Sequence, residues 1–339
     1  MKRFVIGALC AAALSLSSGA YAEDVVLRHS ILLPPTHFLN KDVFFPYFEE
    51  IEKVTEGRVK VEVSSAPLGP PPRNYQLAVD GIADITWGVH GYTPGTFPLS
   101  ELVELPFQST NAERDSVAYW KMFADVLEPA GMHPGVHTMV VFVQPAGQYY
   151  NNIRPIKEPG DFAGLKIRAT NSSVSDAIAR LGGTPISLPV TEMREALEKG
   201  IVDGITLTDE ALFLFQVQDF VKYEMAVPGG LYNASFFMVM NEDAWNRISP
   251  EDQEAISAIS GEALARKIGH VWQANQDAAV SRAKEQGIEI SVPEGALLDY
   301  LHEKLDGFEA AWIEKASAAG IDGAAALKAY REMTGAMVK

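Results

Sequence analysis

The sequence predicts an α/β protein with two lobes and a cleft between them. Strand-like runs alternate with helix-like runs in the first part of the chain, and the same alternation restarts in the middle. The last third is mostly helical. Alternating strands and helices form a mainly parallel sheet with helices on its faces. Two such patterns joined by more than one crossing indicate two lobes, with ligands bound beyond the carboxyl ends of the strands.

The first alternation builds the first sheet. Phe44, Phe48 and Ile51 recur at helical spacing, and a Glu-Gly pair follows that run as a stop signal. Alternating apolar residues at positions 59–63 indicate a strand. In chain order we predict strand 25–31, helix 38–54, strand 59–63, helix 74–79 and strand 82–87.

The second alternation lies between strands that cross from lobe to lobe. Residues 136–143 and 148–153 are predicted to be such crossing strands, and residues 235–240 a strand that returns to the first lobe. The elements between them are predicted to be strand 164–169, helix 174–181, strand 184–188, helix 192–199 and strand 204–207.

The predicted domain limits follow from these crossings. Residues 23–145 form the first part of lobe I, and residues 146–233 form lobe II. Residues 234–339 add the returning strand of lobe I and the C-terminal helices.

The C-terminal third predicts one long helix. Ser249 suits an N-cap, and Pro250 suits the first helical position. A continuous helix to Gln286 has about 36 residues and a length of about 54 Å, enough to lie along both lobes. The alternative is two helices that break near Gly269.

The N-terminus predicts export. Lys2 and Arg3 precede an apolar run at residues 4–16, and Ala20-Tyr21-Ala22 is an A-x-A cleavage site. We therefore predict a signal peptide at residues 1–22, cleaved after Ala22. The run is shorter than the about 20 residues of a membrane span, and a buried N-terminal helix is the alternative. Cys10, the only cysteine, lies inside the run, so no lipid anchor is expected.

The net charge excludes some partners. The chain has 28 Lys and Arg against 44 Asp and Glu; without Lys2 and Arg3 the count is 26 against 44, a net charge of −18. Phosphate binding needs clustered positive charge, so nucleic acid is not an expected partner. If the protein binds an anion, a few local groups must attract it against the overall field.

Seven segments occur in the order typical of one family. They are GRV at 57–59, PLGPP at 67–71, DGIADITWG at 80–88, HGYTPGTFPL at 90–99, ELPF at 104–107, DFAGLKIR at 161–168 and ALEKGIVDG at 196–204. With these motifs the chain resembles the periplasmic substrate-binding proteins of tripartite ATP-independent periplasmic (TRAP) transporters, the DctP-like group. The resemblance covers nearly all of the chain after residue 24.

The resemblance implies a fold, a function and a partner. The fold is the two-lobed periplasmic-binding-protein fold, with hinge strands and a long C-terminal helix spanning both lobes. Proteins of this group bind small organic acids in the periplasm and deliver them to membrane permease subunits driven by an ion gradient. They have no turnover, so the resemblance implies no enzyme, and we expect no cofactor and no metal.

Arg168 is the predicted carboxylate-binding residue. In strand 164–169, Lys166 and Arg168 share one face, while Leu165 and Ile167 occupy the other. Arginine suits a fixed bidentate grip on a planar carboxylate, and the resemblance implies this role for Arg168. The alternative is a surface arginine in a salt bridge.

Three positions depart from the sialic-acid-binding type of the family. Gln148 stands where that type has a second arginine, Val89 where it has an acidic residue, and Leu207 where it has an asparagine. A heavily hydroxylated sugar acid is therefore not expected, and Gln148 becomes a candidate ligand contact.

Aromatic residues predict an aromatic or hydrophobic monocarboxylate instead. Trp87, His90 and Tyr92 lie in one loop, with His90 as the expected partner of a ligand hydroxyl. Phe236 and Phe237 on the returning strand are candidate walls, since aromatic rings stack. The alternative for these residues is ordinary core.

Four further residues are candidate contacts. Thr36 and His37 precede the first helix, whose N-terminus favours an anion. Asn171 follows the Arg168 strand, and Thr208 follows the next strand of the same lobe. A bystander role is the alternative for each.

Catalytic and metal-binding patterns are weak. The sequence has no G-x-S-x-G, phosphate-binding G-x-x-x-x-G-K-[ST], G-x-G-x-x-G or H-E-x-x-H motif. His133 and His137 are separated by a Pro-Gly pair, and Asp209 and Glu210 were interpreted as exposed, solvated acids. The alternatives to a transport protein are a binding module of the same fold that serves a membrane sensor, and an exported hydrolase or lyase.

Overall fold

A computed structural model describes residues 24–336; the predicted signal peptide and its cleavage site lie outside the described residues. Within that range the strands are β1 (Val25–His29), β2 (Val59–Val63), β3 (Ile85–Val89), β4 (Val136–Val143), β5 (Gln148–Asn151), β6 (Lys166–Ala169), β7 (Thr184–Ser187), β8 (Gly204–Leu207), β9 (Tyr223–Met225), β10 (Ser235–Asn241) and β11 (Glu289–Ser291). The α-helices are α1 (Phe45–Val54), α2 (Asn74–Val79), α3 (Ala112–Met122), α4 (Ser172–Arg180), α5 (Met193–Glu198), α6 (Asp209–Leu214), α7 (Glu242–Asn246), α8 (Pro250–Ile259), α9 (Gly261–Glu285), α10 (Gly295–Leu305), α11 (Phe308–Ala318) and α12 (Gly323–Thr334).

The strands form two separate sheets. The first has the order β2-β1-β3-β10-β4, and the second has the order β11-β9-β5-β8-β6-β7. β1 runs parallel to β2 and β3, and β6 runs parallel to β7 and β8. The predicted α/β fold with two lobes is confirmed.

The chain crosses between the sheets more than once. β4 belongs to the first sheet and β5 to the second; β9 belongs to the second and β10 to the first. The two connecting segments meet at an antiparallel bridge between Gly147 and Tyr232. These segments position the residues between the sheets, while the domain limits at 145/146 and 233/234 stay predictions.

The strand predicted at 82–87 begins later than expected, at Ile85. The backbone N–H groups of Ile82 and Ala83 both donate to the Leu77 carbonyl, so these residues still close helix α2. Gly81 has a φ of +66° and supplies the left-handed residue that ends a helix. Ile82 and Ala83, which the apolar run assigned to the strand, therefore belong to the end of the helix.

The long C-terminal helix breaks at Ser260 and Gly261, neither continuing to Gln286 from Pro250 nor breaking at Gly269. Gly261 has a φ of +55°, and a Cβ there would lie 2.7 Å from the Trp120 ring. Ser260 Oγ donates to the Ile256 carbonyl and pairs with the Tyr47 hydroxyl. Because Gly261 has a left-handed backbone conformation and packs directly against Trp120, one helix ends at Ile259 and the next begins at Gly261.

Helix α9 still lies along both lobes. It has 25 residues, a length of about 37 Å. Trp272 joins the apolar core around the first sheet, and Ala283 joins the core beneath the second. Gly269 lies inside this helix, where a Cβ would approach the Ala112 carbonyl oxygen to 2.4 Å. Gly269 thus permits close packing on α3 rather than a helix break.

No helix within residues 24–336 combines the length and the apolar character needed to cross a membrane.

Candidate functional site

A cavity lies between the two sheets. It is partly open to solvent. Side chains from both sheets and from α9 line it, so the cavity lies at the predicted position, in the cleft between the two lobes.

Arg168 lines this cavity and is 1% exposed. Its Nε donates to the Leu188 carbonyl at 3.0 Å, and its Nη1 donates to Thr170 Oγ1 at 2.8 Å and to the Thr206 carbonyl at 3.0 Å. All three acceptors are neutral, so they fix the guanidinium without neutralising it. Nη2 is buried and has no partner. The arrangement leaves one charged donor group for a ligand anion.

Other buried donors surround the cavity near Arg168. Gln144 Nε2 and Trp87 Nε1 are buried without a partner, and both side chains line the cavity. The Tyr232 hydroxyl lies beside Arg168, Thr170 and Gln144; burial raises its pKa, and the Arg168 charge opposes that rise. These groups form what we call the arginine pole: Arg168, Gln144, Thr170 and Tyr232. It offers hydrogen-bond donors and one positive charge, as a carboxylate requires.

Aromatic rings form the walls of the cavity. The ring centroids of Phe236 and Trp272 are 5.1 Å apart, and those of Phe236 and Trp87 are 6.4 Å apart. Tyr92 also lines the cavity, and its hydroxyl accepts from Val190 N at 3.0 Å, a contact from the first lobe to the second. Trp87, Tyr92 and Phe236 thus line the cavity, and their contacts with a ligand stay predictions. Phe237 points to the opposite face of β10, into a separate small core.

Glu210 lies in the cavity wall and is 5% exposed. Its Oε1 accepts from Thr208 Oγ1 at 2.7 Å and from Trp272 Nε1 at 2.5 Å, while Oε2 is buried without a partner. Burial raises the pKa of Glu210 to about 7. The interpretation of Asp209 and Glu210 as exposed acids was therefore wrong, because both begin α6 under the second lobe's interior face.

Of the two loop residues before the first helix, one reaches the cavity. His37 lines it, but burial lowers the pKa of His37 to about 4, and its Nδ1 accepts from Leu39 N at 3.2 Å. A neutral His37 adds no positive charge. Thr36 is exposed and does not line the cavity. Thr208 lines the cavity and orients Glu210.

Three predicted contacts, His90, Asn171 and Gln148, lie outside this cavity. His90 Nε2 bonds His133 Nε2 at 2.8 Å, and His90 Nδ1 bonds Ser235 Oγ at 3.1 Å. Gln148 Oε1 accepts from Val227 N at 2.8 Å. Their hydrogen-bonding atoms already have protein partners, so this arrangement does not favour the predicted bond between His90 and a ligand hydroxyl, which stays a prediction.

Asn171 has the same kind of environment. Its Oδ1 accepts from Val174 N at 2.8 Å and caps α4, and its Nδ2 donates to Glu104 Oε2 at 2.9 Å. Glu104 Oε1 in turn accepts from Ser235 Oγ at 2.6 Å. We call this set the paired network: His90, His133, Ser235, Glu104 and Asn171.

Sequence reasoning missed Gln144, Tyr232, Glu210 and Trp272. A signal existed for two of them. Gln144 directly follows the predicted crossing strand 136–143, and Tyr232 lies three residues before the predicted returning strand 235–240, so both flank segments that must run past the cleft. Glu210 lies three residues after the end of β8, in the first turn of α6 and beyond the carboxyl end of a strand, where ligand-contacting residues are expected.

Within the described residues, no group of three or more His, Cys, Asp or Glu side chains is placed to hold a metal ion.

Two α/β lobes joined by crossing segments, with a fixed and partly unpaired arginine in the cavity between them, define a two-lobed solute-binding protein. The family model for bacterial extracellular solute-binding protein, family 7 (DctP), matches residues 30–306, and the chain belongs to this family. Members are periplasmic solute-binding proteins of TRAP transporters; they bind small organic acids and work with membrane transporter components. The family consists of binding proteins and not enzymes.

Solved structures and curated relatives support this family assignment. A TRAP periplasmic solute-binding protein of Bordetella bronchiseptica with bound (R)- and (S)-mandelate is 34% identical, with a TM-score of 0.89 over 92% of this chain and 99% of that one. A marine metagenome TRAP protein specific for aromatic acids, in complex with 3-hydroxybenzoate, is 30% identical, with a TM-score of 0.85 over 94% and 100%. The curated transporter protein TsaT of Comamonas testosteroni is 29% identical over 97% of this chain and 98% of its own length.

Proposed function

We propose that this protein binds an aromatic monocarboxylate in the interlobe cavity, with the carboxylate on Arg168, and delivers it to the membrane permease subunits of a TRAP transporter. The observation that carries the proposal is the Nη2 group of Arg168, which is charged, buried and without a partner beside the cavity. A buried charged donor without a partner is costly, and a ligand carboxylate removes that cost.

The rest of the cavity supports this ligand class. Walls of Trp87, Phe236 and Trp272 suit a planar ring. Among the described residues that line the cavity, Arg168 is the one charged basic side chain, and the lining also contains the Glu210 carboxyl, which disfavours a second carboxylate on the ligand. The similar proteins with mandelate and 3-hydroxybenzoate are described as binding acids of this class.

Delivery requires that the lobes open and close. The Tyr92–Val190 contact and the Asn171–Glu104 contact both join the first lobe to the second. We propose that ligand enters an open form and that these contacts re-form on closure, a hinge motion between lobes.

The test is a thermal-shift and calorimetric titration of the mature protein with benzoate, mandelate, succinate and lactate. We expect the aromatic monocarboxylates to stabilise the protein, by about 2.7 kcal/mol at a hundredfold excess over the Kd. Arg168→Ala should remove this stabilisation. Lys166→Ala is the matched control, because Lys166 lies on the same strand but bonds the Gly200 carbonyl outside the cavity.

Two outcomes contradict the proposal. One is unchanged affinity in Arg168→Ala. The other is tighter binding of succinate than of every aromatic monocarboxylate.

A further inference from the structure

The cavity wall contains a second polar group whose bonding is incomplete. The Glu210 side chain lines the cavity, and its Oε2 is buried and has no partner, although Oε1 of the same carboxyl accepts two hydrogen bonds. The unpaired Oε2 of Glu210 and the unpaired Nη2 of Arg168 do not bond each other. Each therefore has an open hydrogen-bonding position in the same cavity.

The orientation of Glu210 is set from both lobes. Thr208 directly follows β8 of the second lobe, whereas Trp272 belongs to α9 and packs in the core of the first sheet. Their two hydrogen bonds hold Oε1 and leave Oε2 as the atom available to a ligand. A side chain fixed in this way is preorganised, so a ligand group does not have to order it.

We propose that Glu210 Oε2 recognises a hydroxyl on the ligand, so that the cavity selects hydroxy-substituted aromatic monocarboxylates over the same acids without the hydroxyl. This inference rests on the proposed function, in which Arg168 holds the ligand carboxylate. Glu210 is then the residue that determines specificity, and Thr208 and Trp272 are positioning residues.

A ligand hydroxyl can form a hydrogen bond with the Glu210 carboxyl in both its ionised and its protonated form. Burial places the pKa of Glu210 near the middle of the physiological range, so both forms are present. An ionised Oε2 accepts from the hydroxyl, and a protonated Oε2 donates to it. An unsubstituted ring at the same place leaves a buried oxygen unpaired, and a second carboxylate is repelled. A hydroxyl is therefore the group that satisfies this position without adding charge.

The expected discrimination is large. A site built to bond a ligand hydroxyl rejects the analogue that lacks it, because the buried polar group is left unpaired. A hydrogen bond to a group of this kind corresponds to about a tenfold to hundredfold difference in Kd.

The experiment measures Kd by isothermal titration for matched pairs of acids at pH 7. The pairs are benzoate against each of 2-, 3- and 4-hydroxybenzoate, and phenylacetate against mandelate. In the unaltered protein, at least one hydroxy acid should bind tenfold or more tightly than its parent. In Glu210→Leu that preference should fall to less than about twofold, while the parent acid, held by Arg168, binds at least as well as before.

A second variant covers the possibility that Glu210→Leu does not fold. Trp272→Phe keeps the aromatic packing but removes the Nε1 donor that fixes Oε1. It should reduce the hydroxyl preference, taken as the ratio of the parent-acid Kd to the hydroxy-acid Kd in the same variant, severalfold. Glu224→Gln is the matched control, because Glu224 is a buried acid of the same lobe that does not line the cavity; it should leave the preference unchanged.

The outcomes separate this inference from the proposed function. If the parent acids bind in an Arg168-dependent way but no hydroxy acid is preferred, or if the preference survives Glu210→Leu, Glu210 is not a hydroxyl-recognising residue and the proposed function stands. If no aromatic monocarboxylate binds the unaltered protein, both fail together.

Discussion

The arginine pole and the paired network are both buried and polar, but they differ in how their hydrogen bonds are completed. In the paired network, His90, Ser235, Glu104 and Asn171 bond one another. At the arginine pole, donor atoms of Arg168 and Gln144 remain unpaired next to a cavity. Since buried polar groups in native proteins are normally paired, the difference supports our proposal that the arginine pole binds the ligand, whereas the paired network stabilises the fold.

The largest expected effect comes from replacing the planar guanidinium of Arg168 with a positively charged group of another shape. In Arg168→Lys we expect about a hundredfold weaker binding of an aromatic monocarboxylate. An ammonium cannot bond the Leu188 and Thr206 carbonyls and the ligand in one fixed plane. Isothermal titration measures this loss. Binding within about threefold of the unaltered protein means that a point charge suffices and that the fixed guanidinium is not the recognition element.

The paired network predicts the opposite result. His90→Ala should lower the free energy of unfolding by about 2–3 kcal/mol, because it leaves the buried Nε2 of His133 without its partner and removes one of the hydrogen bonds of Ser235 Oγ. The Kd of the ligand should change by less than about threefold. Urea unfolding and titration of the same sample measure both quantities. A large loss of affinity with normal stability would instead place His90 in the ligand site.

A smaller effect is expected at the edge of the arginine pole. Tyr232→Phe removes a hydroxyl that lies beside Arg168 and keeps the ring packing. We expect about tenfold weaker carboxylate binding, the size of one hydrogen bond. Titration of Tyr149→Phe is the control, since Tyr149 is equally buried in the core and does not line the cavity. Equal losses in the two variants contradict a specific role for Tyr232.

The smallest effect is a pH dependence of stability set by one buried acid of the cavity wall and one of the paired network. Burial raises the pKa of Glu210 to about 7 and that of Glu104 to about 8, above the usual value for a glutamate. The folded state then binds more protons than the unfolded state, so stability falls as pH rises towards 8. Buried histidines such as His90, whose pKa is lowered to about 3, act oppositely but only below about pH 6.5. The net fall is therefore expected between about pH 6.5 and 8.

Urea unfolding at half-unit steps across that window checks this expectation. Glu210→Gln should reduce the fall, and the exposed Glu192→Gln should not. A free energy of unfolding that rises with pH in this window contradicts the burial of Glu104 and Glu210.

The sequence predicted the fold better than the contacts of the site. The limits of β2, α2, β4 and β8 follow from local periodicity, and Arg168 follows from its alternating strand and motif. The environment of His90 could not be predicted in this way, because its partners His133 and Ser235 are 43 and 145 residues away in the chain. The loop pattern shows that His90 lies near the cleft but not that other side chains already occupy its hydrogen-bonding atoms.

The burial of Glu210 could not be predicted from the local sequence either. Two adjacent acids at the start of a short helix are usually solvated, and the local pattern contains nothing that buries them. Their burial depends on α9, whose Trp272 and Gln276 donate to Glu210 and Asp209 from more than 60 residues away.

The most direct test of the central claim is a crystal structure of the protein with a bound aromatic monocarboxylate such as mandelate. We predict a carboxylate oxygen at about 2.8 Å from Arg168 Nη2, with the aromatic ring of the ligand packed against Trp87 and Phe236. A ligand whose carboxylate lies elsewhere, with Arg168 Nη2 still unpaired, contradicts the account.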